Sequence, residues 1–256
     1  MSGNWDDLKP RVISGVVMAV VGTVSLWAGG IWFMALIAVC CGAMIWELAR
    51  MCAPDQGAEI ISMGVIAALV VVLLALIPGI YIGPIMLGFV GATWSVIRTK
   101  RTVYALYALL ILVGGYGFIH IRQDFGLIWM LWLVLVVVAS DMAGYIAGRM
   151  LGGPKFWPKV SPKKTWSGTV AGWIGAALVG VAFTQTAGFV LLSVLVAFAA
   201  QMGDIAESAI KRKCGIKDSS NLIPGHGGFM DRFDGMLGAS VVVVLLVSLT
   251  GFTFAG

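Results

Sequence analysis

Residues 60–77 read IISMGVIAALVVVLLALI, an uncharged run closed by Pro78-Gly79. A helix needs about 20 mostly apolar residues to cross the hydrocarbon core of a bilayer, and an uncharged run of about 18 reads as a spanning segment. Outward from it the same pattern repeats. Apolar runs fall at about 12–28, 30–49, 60–77, 80–97, 102–120, 127–149, 167–187, 189–211 and 231–254. The expectation is an all-α, polytopic integral membrane protein of about nine transmembrane helices. Tight breaks at Gly29-Gly30, Pro78-Gly79 and Ala187-Gly188 leave eight or ten as alternatives.

Composition agrees. Of 256 residues, 60% are hydrophobic and 11% charged, against about 25% charged in a soluble domain. One soluble core does not hide that much apolar surface. The 34 glycines fit as well, since glycine lets membrane helices approach closely. The run from Val12 follows a mixed-charge stretch and has no small-x-small cleavage site after it, so it is expected to remain as the first spanning helix. Cys40, Cys41, Cys52 and Cys214 have no metal-ligand or disulfide spacing and read as free thiols.

Arginine and lysine set the orientation, because they collect on the cytoplasmic side. With the N-terminus inside, that side takes Lys9, Arg11, Arg50, Arg98, Lys100, Arg101, Arg149, Lys155, Lys159, Lys163, Lys164, Lys211, Arg212, Lys213, Lys217 and Arg232; of the 17 basic residues only Arg122 falls outside. The expected topology is N-in/C-out. The net charge of +5 then reflects this segregation and not nucleic-acid binding. Residues 1–126 are expected to form about five N-terminal helices, and 127–256 a catalytic transmembrane region whose site faces the cytoplasm. The two long loops, about 150–166 and 212–230, lie on that side.

Polar residues interrupt the apolar pattern near the same face, and ionisable residues inside spanning segments mark function by default. At 100° per residue, Gln201, Asp204, Glu207, Ser208 and Lys211 share one stripe about 120° wide, with Ala200, Met202, Ile205 and Ala209 on the remainder. Asp141, Gly144, Tyr145 and Gly148 share a face of the sixth helix by the same arithmetic. Glu47, near the end of the second helix, reads as an interfacial residue. The loop KRKCGIKDSSNLIPGHGGFMDRFDGM at 211–236 interleaves cations with Asp218, Asp231 and Asp234. Its Pro-Gly-His-Gly-Gly run lets backbone N–H groups approach a phosphate. Clustered aspartates suit Mg²⁺, which binds through one or two carboxylates plus substrate phosphates. Asp231 and Asp234 also suit helix capping. Ser161-Pro-Lys-Lys-Thr-Trp-Ser-Gly168 adds two lysines, and Gly168 with Gly172 forms a GxxxG packing motif. Such a face favours phosphoryl or nucleotidyl transfer, chemistry that consists of positioning and charge neutralisation.

The run Ser208-x-Ile210-Lys211-Arg212-x4-Lys217-Asp218-x-Ser220-x2-Ile223-Pro224-x-His226-Gly227-Gly228-Phe229-x-Asp231-Arg232-Phe233-Asp234 resembles the signature of the phosphatidate cytidylyltransferase family at every specified position. Asp141 to Tyr145, the 161–168 run and Gln201-x-Gly203-Asp204 resemble the same family, so the likeness covers about residues 140–235. It implies a bacterial inner-membrane enzyme that makes CDP-diacylglycerol and pyrophosphate from CTP and phosphatidic acid, with Mg²⁺, as a homodimer. Asp204 and Asp231 are implied as metal ligands, and a monovalent cation such as K⁺ as a companion. Lys211, Lys217 and His226 join them as catalytic residues. Ser161, Lys163, Lys164, Ser208, Lys211, Arg212, Lys217, Asp218, Gly227, Gly228 and Arg232 are expected to hold phosphates. Asp141, Tyr145, Gln201, Glu207 and Asp234 are expected to line the cavity. Two alternatives stand beside this reading: a CTP-dependent lipid kinase, and a transporter of an anionic solute. The clustering of polar residues on one side disfavours transport.

Overall fold

Each apolar run becomes a helix. The computed structural model describes residues 8–251, so the last three residues of the final apolar run, and the side chain of Lys9, lie outside the described residues. Among the described residues nine helical segments are long and apolar enough to cross a membrane. They are α1 (Leu8–Ala28), α2 (Gly30–Cys52), α3 (Ala58–Leu76), α4 (Ile82–Val96, preceded by a 3-10 turn Gly79–Tyr81), α5 (Arg101–His120), α6 (Leu127–Met150), α7 (Trp166–Phe183), α8 (Ala187–Cys214) and α9 (Met230–Thr250). A π-helical turn, Ile121–Phe125, continues α5. The four cysteines are free thiols.

The helices alternate, and contacts between remote segments show which ends meet. Ser14 of α1 bonds the Pro224 carbonyl at 2.8 Å, Glu47 near the end of α2 meets Ser219, and Thr99 before α5 bonds the Cys52 carbonyl. Every basic residue whose side chain is described, Arg122 excepted, belongs to this end or the segments extending from it. At the opposite end Arg122 donates to the carbonyls of Leu26 at 2.8 Å and Trp27 at 3.2 Å, satisfying carbonyls that the last turn of α1 leaves without helical partners. The one basic residue that broke the segregation is therefore a helix cap supplied from α5.

α8 and α9 form the centre of the assembly. α9 packs on α8 and α5, α8 on α7, and α7 on α6, while α5 leads through α2 to α3. Close approach needs small residues. A Cβ on Gly203 would overlap the Asp234 carbonyl of α9, and one on Gly168 would lie 2.6 Å from the Gly144 carbonyl of α6. The glycines of the GxxxG motif thus bring α7 onto α6. α8 has 28 residues, about 42 Å at 1.5 Å per residue, so its last turns extend past a hydrocarbon core about 30 Å thick. It stops at Gly215 in the left-handed region, with Gly215 N–H on the Arg212 carbonyl and Ile216 N–H on that of Lys211, a Schellman cap.

The segment 150–166, expected as a loop, contains an antiparallel hairpin of β1 (Lys155–Trp157) and β2 (Ser161–Thr165). Three prolines at 154, 158 and 162 hide so short a pairing, since proline within a run argues against a strand. Phe156 packs at a tilt against Trp166 with centroids 4.7 Å apart, and Thr165 caps α7 by accepting from Gly168 N–H at 3.2 Å. The hairpin is thereby held over the end of α7, beside α8.

Candidate active site

A cavity of about 670 Å³ opens among α6, the hairpin, α7, α8 and α9. α6 contributes Ser140, Asp141, Gly144, Tyr145, Gly148 and Arg149; the hairpin, Ser161, Lys163, Lys164 and Thr165; α7, Gly168 and Thr169. α8 adds Gln201 and Asp204, and α9 adds Asp231, Asp234 and Gly235. Of the residues singled out in the sequence, Asp141, Tyr145, Ser161, Lys163, Lys164, Gln201, Asp204, Asp231 and Asp234 meet at this cavity.

The polar stripe of α8 supplies the charges. Lys164 Nζ lies 2.6 Å from Asp204 Oδ2 and donates to the Gln201 carbonyl at 3.1 Å. Ser208 Oγ donates to Asp204 Oδ1 at 3.4 Å. Lys211 Nζ stands 2.5 Å from Glu207 Oε2 and 2.6 Å from Asp231 Oδ1. Glu207 is 0% exposed, and its Oε1 has no hydrogen-bond partner among the described residues. Carboxylate oxygens of Asp204, Glu207 and Asp234 lie within 4.8 Å of one another. Three hard oxygen donors at that spacing, one of them a buried orphan, fit a small divalent cation.

Asp231 is held differently. Besides Lys211 on Oδ1, its Oδ2 accepts from Ser219 N–H at 2.9 Å, Ser219 Oγ at 2.7 Å and Gly228 N–H at 2.8 Å. The structure thus groups Asp204 with Glu207 and Asp234, and places Asp231 one lysine away.

Other expected residues stand apart from the cavity. Arg212, in the last turn of α8, and Lys217 and Asp218, beyond its end, are exposed. His226 turns toward α1, its Nδ1 2.8 Å from Ser14 Oγ. Arg232 donates from Nε and Nη2 to the His226 carbonyl at 3.0 and 2.6 Å. Gly227 pairs with Ile223 in the turn of that loop.

Two participants escaped the sequence reading. Arg149 lines the cavity, its Nη1 donating to Tyr145 Oη at 2.9 Å; the i, i+4 spacing to Tyr145 was its only signal. Glu47, read as interfacial, is 0% exposed and lies within hydrogen-bond distance of four donor groups of the segment 219–230. Its position near a helix end suggested water, whereas the loop before α9 folds over it.

The sequence model of the cytidylyltransferase family matches residues 9–250. A phosphatidate cytidylyltransferase of Brucella suis biovar 1 (strain 1330) is 32% identical over 258 residues, covering 93% of each chain. One from Bacillus subtilis (strain 168) is 28% identical over 95% of this chain and 98% of its own. One from Helicobacter pylori (strain ATCC 700392 / 26695) is 41% identical over 56% of this chain and 57% of its own. With a match running through all nine apolar helices and the cavity between them, the chain belongs to the cytidylyltransferase family.

Proposed function

We propose that this chain transfers the cytidylyl group of CTP to phosphatidic acid, giving CDP-diacylglycerol and pyrophosphate. The observation that carries the reading is the cavity itself, in which Asp204 and Asp234, backed by the buried Glu207, converge beside Arg149, Lys163 and Lys164. Carboxylates alone suit a cation and lysines alone suit any anion; the two together suit a metal-bound triphosphate. The likeness to named phosphatidate cytidylyltransferases supports the same conclusion.

In this mechanism a phosphate oxygen of phosphatidic acid attacks the α-phosphorus of CTP. The new bond joins the lipid phosphate to the α-phosphorus. The α–β bridging P–O bond breaks, and its electron pair leaves with pyrophosphate. A phosphate monoester is largely ionised at pH 7, since its second pKa is about 6, so no strong general base is required. Arg149 and Lys163 form no ion pair with a carboxylate among the described residues and are free to bind phosphate oxygens. Lys164 links the hairpin to Asp204 and brings a third positive charge to the wall. Mg²⁺, held by Asp204 and Asp234 with Glu207 behind them, would neutralise charge on the triphosphate. Asp231 positions Lys211 against the same cluster, and a monovalent cation such as K⁺ is proposed as a companion.

The segregation of basic residues supports an N-in/C-out chain in a bacterial inner membrane, with the cavity on the cytoplasmic side. A homodimer is proposed from the family resemblance. Purified protein with α-labelled CTP, phosphatidic acid and Mg²⁺ should yield labelled lipid and pyrophosphate. Label entering lipid from γ-labelled CTP instead would establish a lipid kinase.

A further inference from the structure

A buried carboxylate is costly unless its oxygens receive hydrogen bonds. Glu47 is 0% exposed and forms no ion pair among the described residues. Its Oε1 accepts from Ser220 Oγ at 2.5 Å and Phe229 N–H at 2.9 Å. Its Oε2 accepts from Met230 N–H at 2.8 Å and lies 3.2 Å from Ser219 Oγ, whose one proton it shares with Asp231. Two donors open the segment 219–230 and two close it, so this one carboxylate ties the neck of the loop. It also serves the first turn of α9, which has no side-chain cap of its own and would otherwise leave amides unpaired.

The same neck faces Asp231 on its other side. Ser219 and Gly228, which donate to Asp231 Oδ2, sit at the two points that Glu47 ties. Ser219 Oγ stands between the carboxylates, nearer Asp231, with a single proton to donate. A Cβ on Gly228 would overlap both Ser219 Oγ and Glu47; the contact leaves no slack. Displacing the neck therefore displaces the donors of Asp231, and with Asp231 the lysine held beside Glu207.

We infer that Glu47 is a positioning residue of the transfer reaction. From α2, and without touching the cavity, it sets the loop neck that aims Asp231 and Lys211. The inference rests on the cytidylyltransferase reading. A residue needed only for folding would change the yield and melting temperature of the protein and leave turnover per folded molecule intact. Glu47→Gln keeps the size of the side chain but turns one acceptor into a donor facing donors.

The test uses the full chain purified in detergent. Folded Glu47→Gln should show kcat lowered by about 10- to 100-fold, the range typical of outer-shell partners, with KM for CTP and for phosphatidic acid within about twofold of wild type. Adding Ser219→Ala should cost less than the product of the two single losses, because contacting residues couple. Wild-type kcat in folded Glu47→Gln, or losses that multiply, would overturn the proposal. Should Glu47→Gln fail to fold, Ser219→Ala and Ser220→Ala each remove one donor from the neck, and unchanged kcat in both overturns it equally. Absence of cytidylyl transfer by the wild-type protein would instead refute the underlying activity.

Discussion

Lys211 reaches across from α8 to α9 and places its ammonium 2.6 Å from Asp231 Oδ1. The contact exists because α8 continues to its cap at Gly215, keeping Lys211 on the Asp204 side of the helix. Lys213 lies about 180° from Asp204 by helical arithmetic and is exposed. Lys211→Ala should lower kcat/KM by about 10²–10³-fold, the cost typical of one transition-state contact. Lys213→Ala should cost about 1 kcal/mol at most, as one surface cation near anionic lipid. Steady-state kinetics in mixed micelles compares the two, and equal effects would mean that the basic end acts as a diffuse field.

Asp204→Asn and Asp231→Asn are each expected to reduce turnover to near background while the protein remains monodisperse in detergent. Combining them should add little, since groups that work as a unit fail as a unit. Asp234→Asn should behave like Asp204→Asn, given the shared carboxylate cluster. Single-turnover assays decide each case, and near-normal activity in any variant removes that residue from the site.

Removal of divalent cations should abolish transfer, with Mg²⁺ restoring it. Apparent Mg²⁺ affinity should fall more in Asp234→Asn than in Lys164→Ala, because only the former loses an oxygen donor. Titration of activity against free Mg²⁺ measures both, and the reverse order would place the cation elsewhere.

Arg149 lines the cavity beside Tyr145, which is 66% exposed. A side chain so exposed on a spanning helix points to lipid access at this wall. Arg149→Ala should raise KM for phosphatidic acid by about tenfold, the equivalent of one charge-assisted hydrogen bond, and leave KM for CTP near wild type. Surface-dilution kinetics separates the two constants, and a change confined to CTP would assign Arg149 to the nucleotide.

Topology is testable in a Cys214→Ser background, since the other native cysteines are buried. Pro158→Cys, at the hairpin turn, should react with an impermeant reagent only after cell disruption. Thr250→Cys should react in intact spheroplasts. The sequence reading suggests position 253 for the outer probe, but that residue lies outside the described residues. The opposite pattern would reverse the proposed orientation.

Much of the architecture was legible because a bilayer imposes a length and a polarity on every span. The run at 127–149 became α6 to within a residue, and the stripe on α8 was readable because helical periodicity is local. What escaped depends on distance along the chain. Glu47 meets Phe229 across 182 residues, and nothing within either segment announces the other. Arg122 looked like an exception to charge segregation until α1 was found ending beneath it. The hairpin was obscured by its own prolines, and its pairing is fixed by packing on Trp166 more than by strand propensity.

Gln201 accounts for both of its amide hydrogens and its carbonyl within the protein. Nε2 donates to Ser140 Oγ and to the Thr169 carbonyl, each at 3.3 Å, and Oε1 accepts from Trp173 Nε1 at 3.1 Å. Deeper on the same three helices stand Val136, Ala176 and Ala197, each 0% exposed. The wet cavity therefore ends on an amide floor backed by a dry layer. In a membrane that carries a potential, a polar well cut into the protein is a hazard, because a continuous water file would short-circuit the ion gradient. On the proposed placement of the cavity, Gln201 and the layer behind it would act as electrical insulation, closing the polar well before it could become a leak.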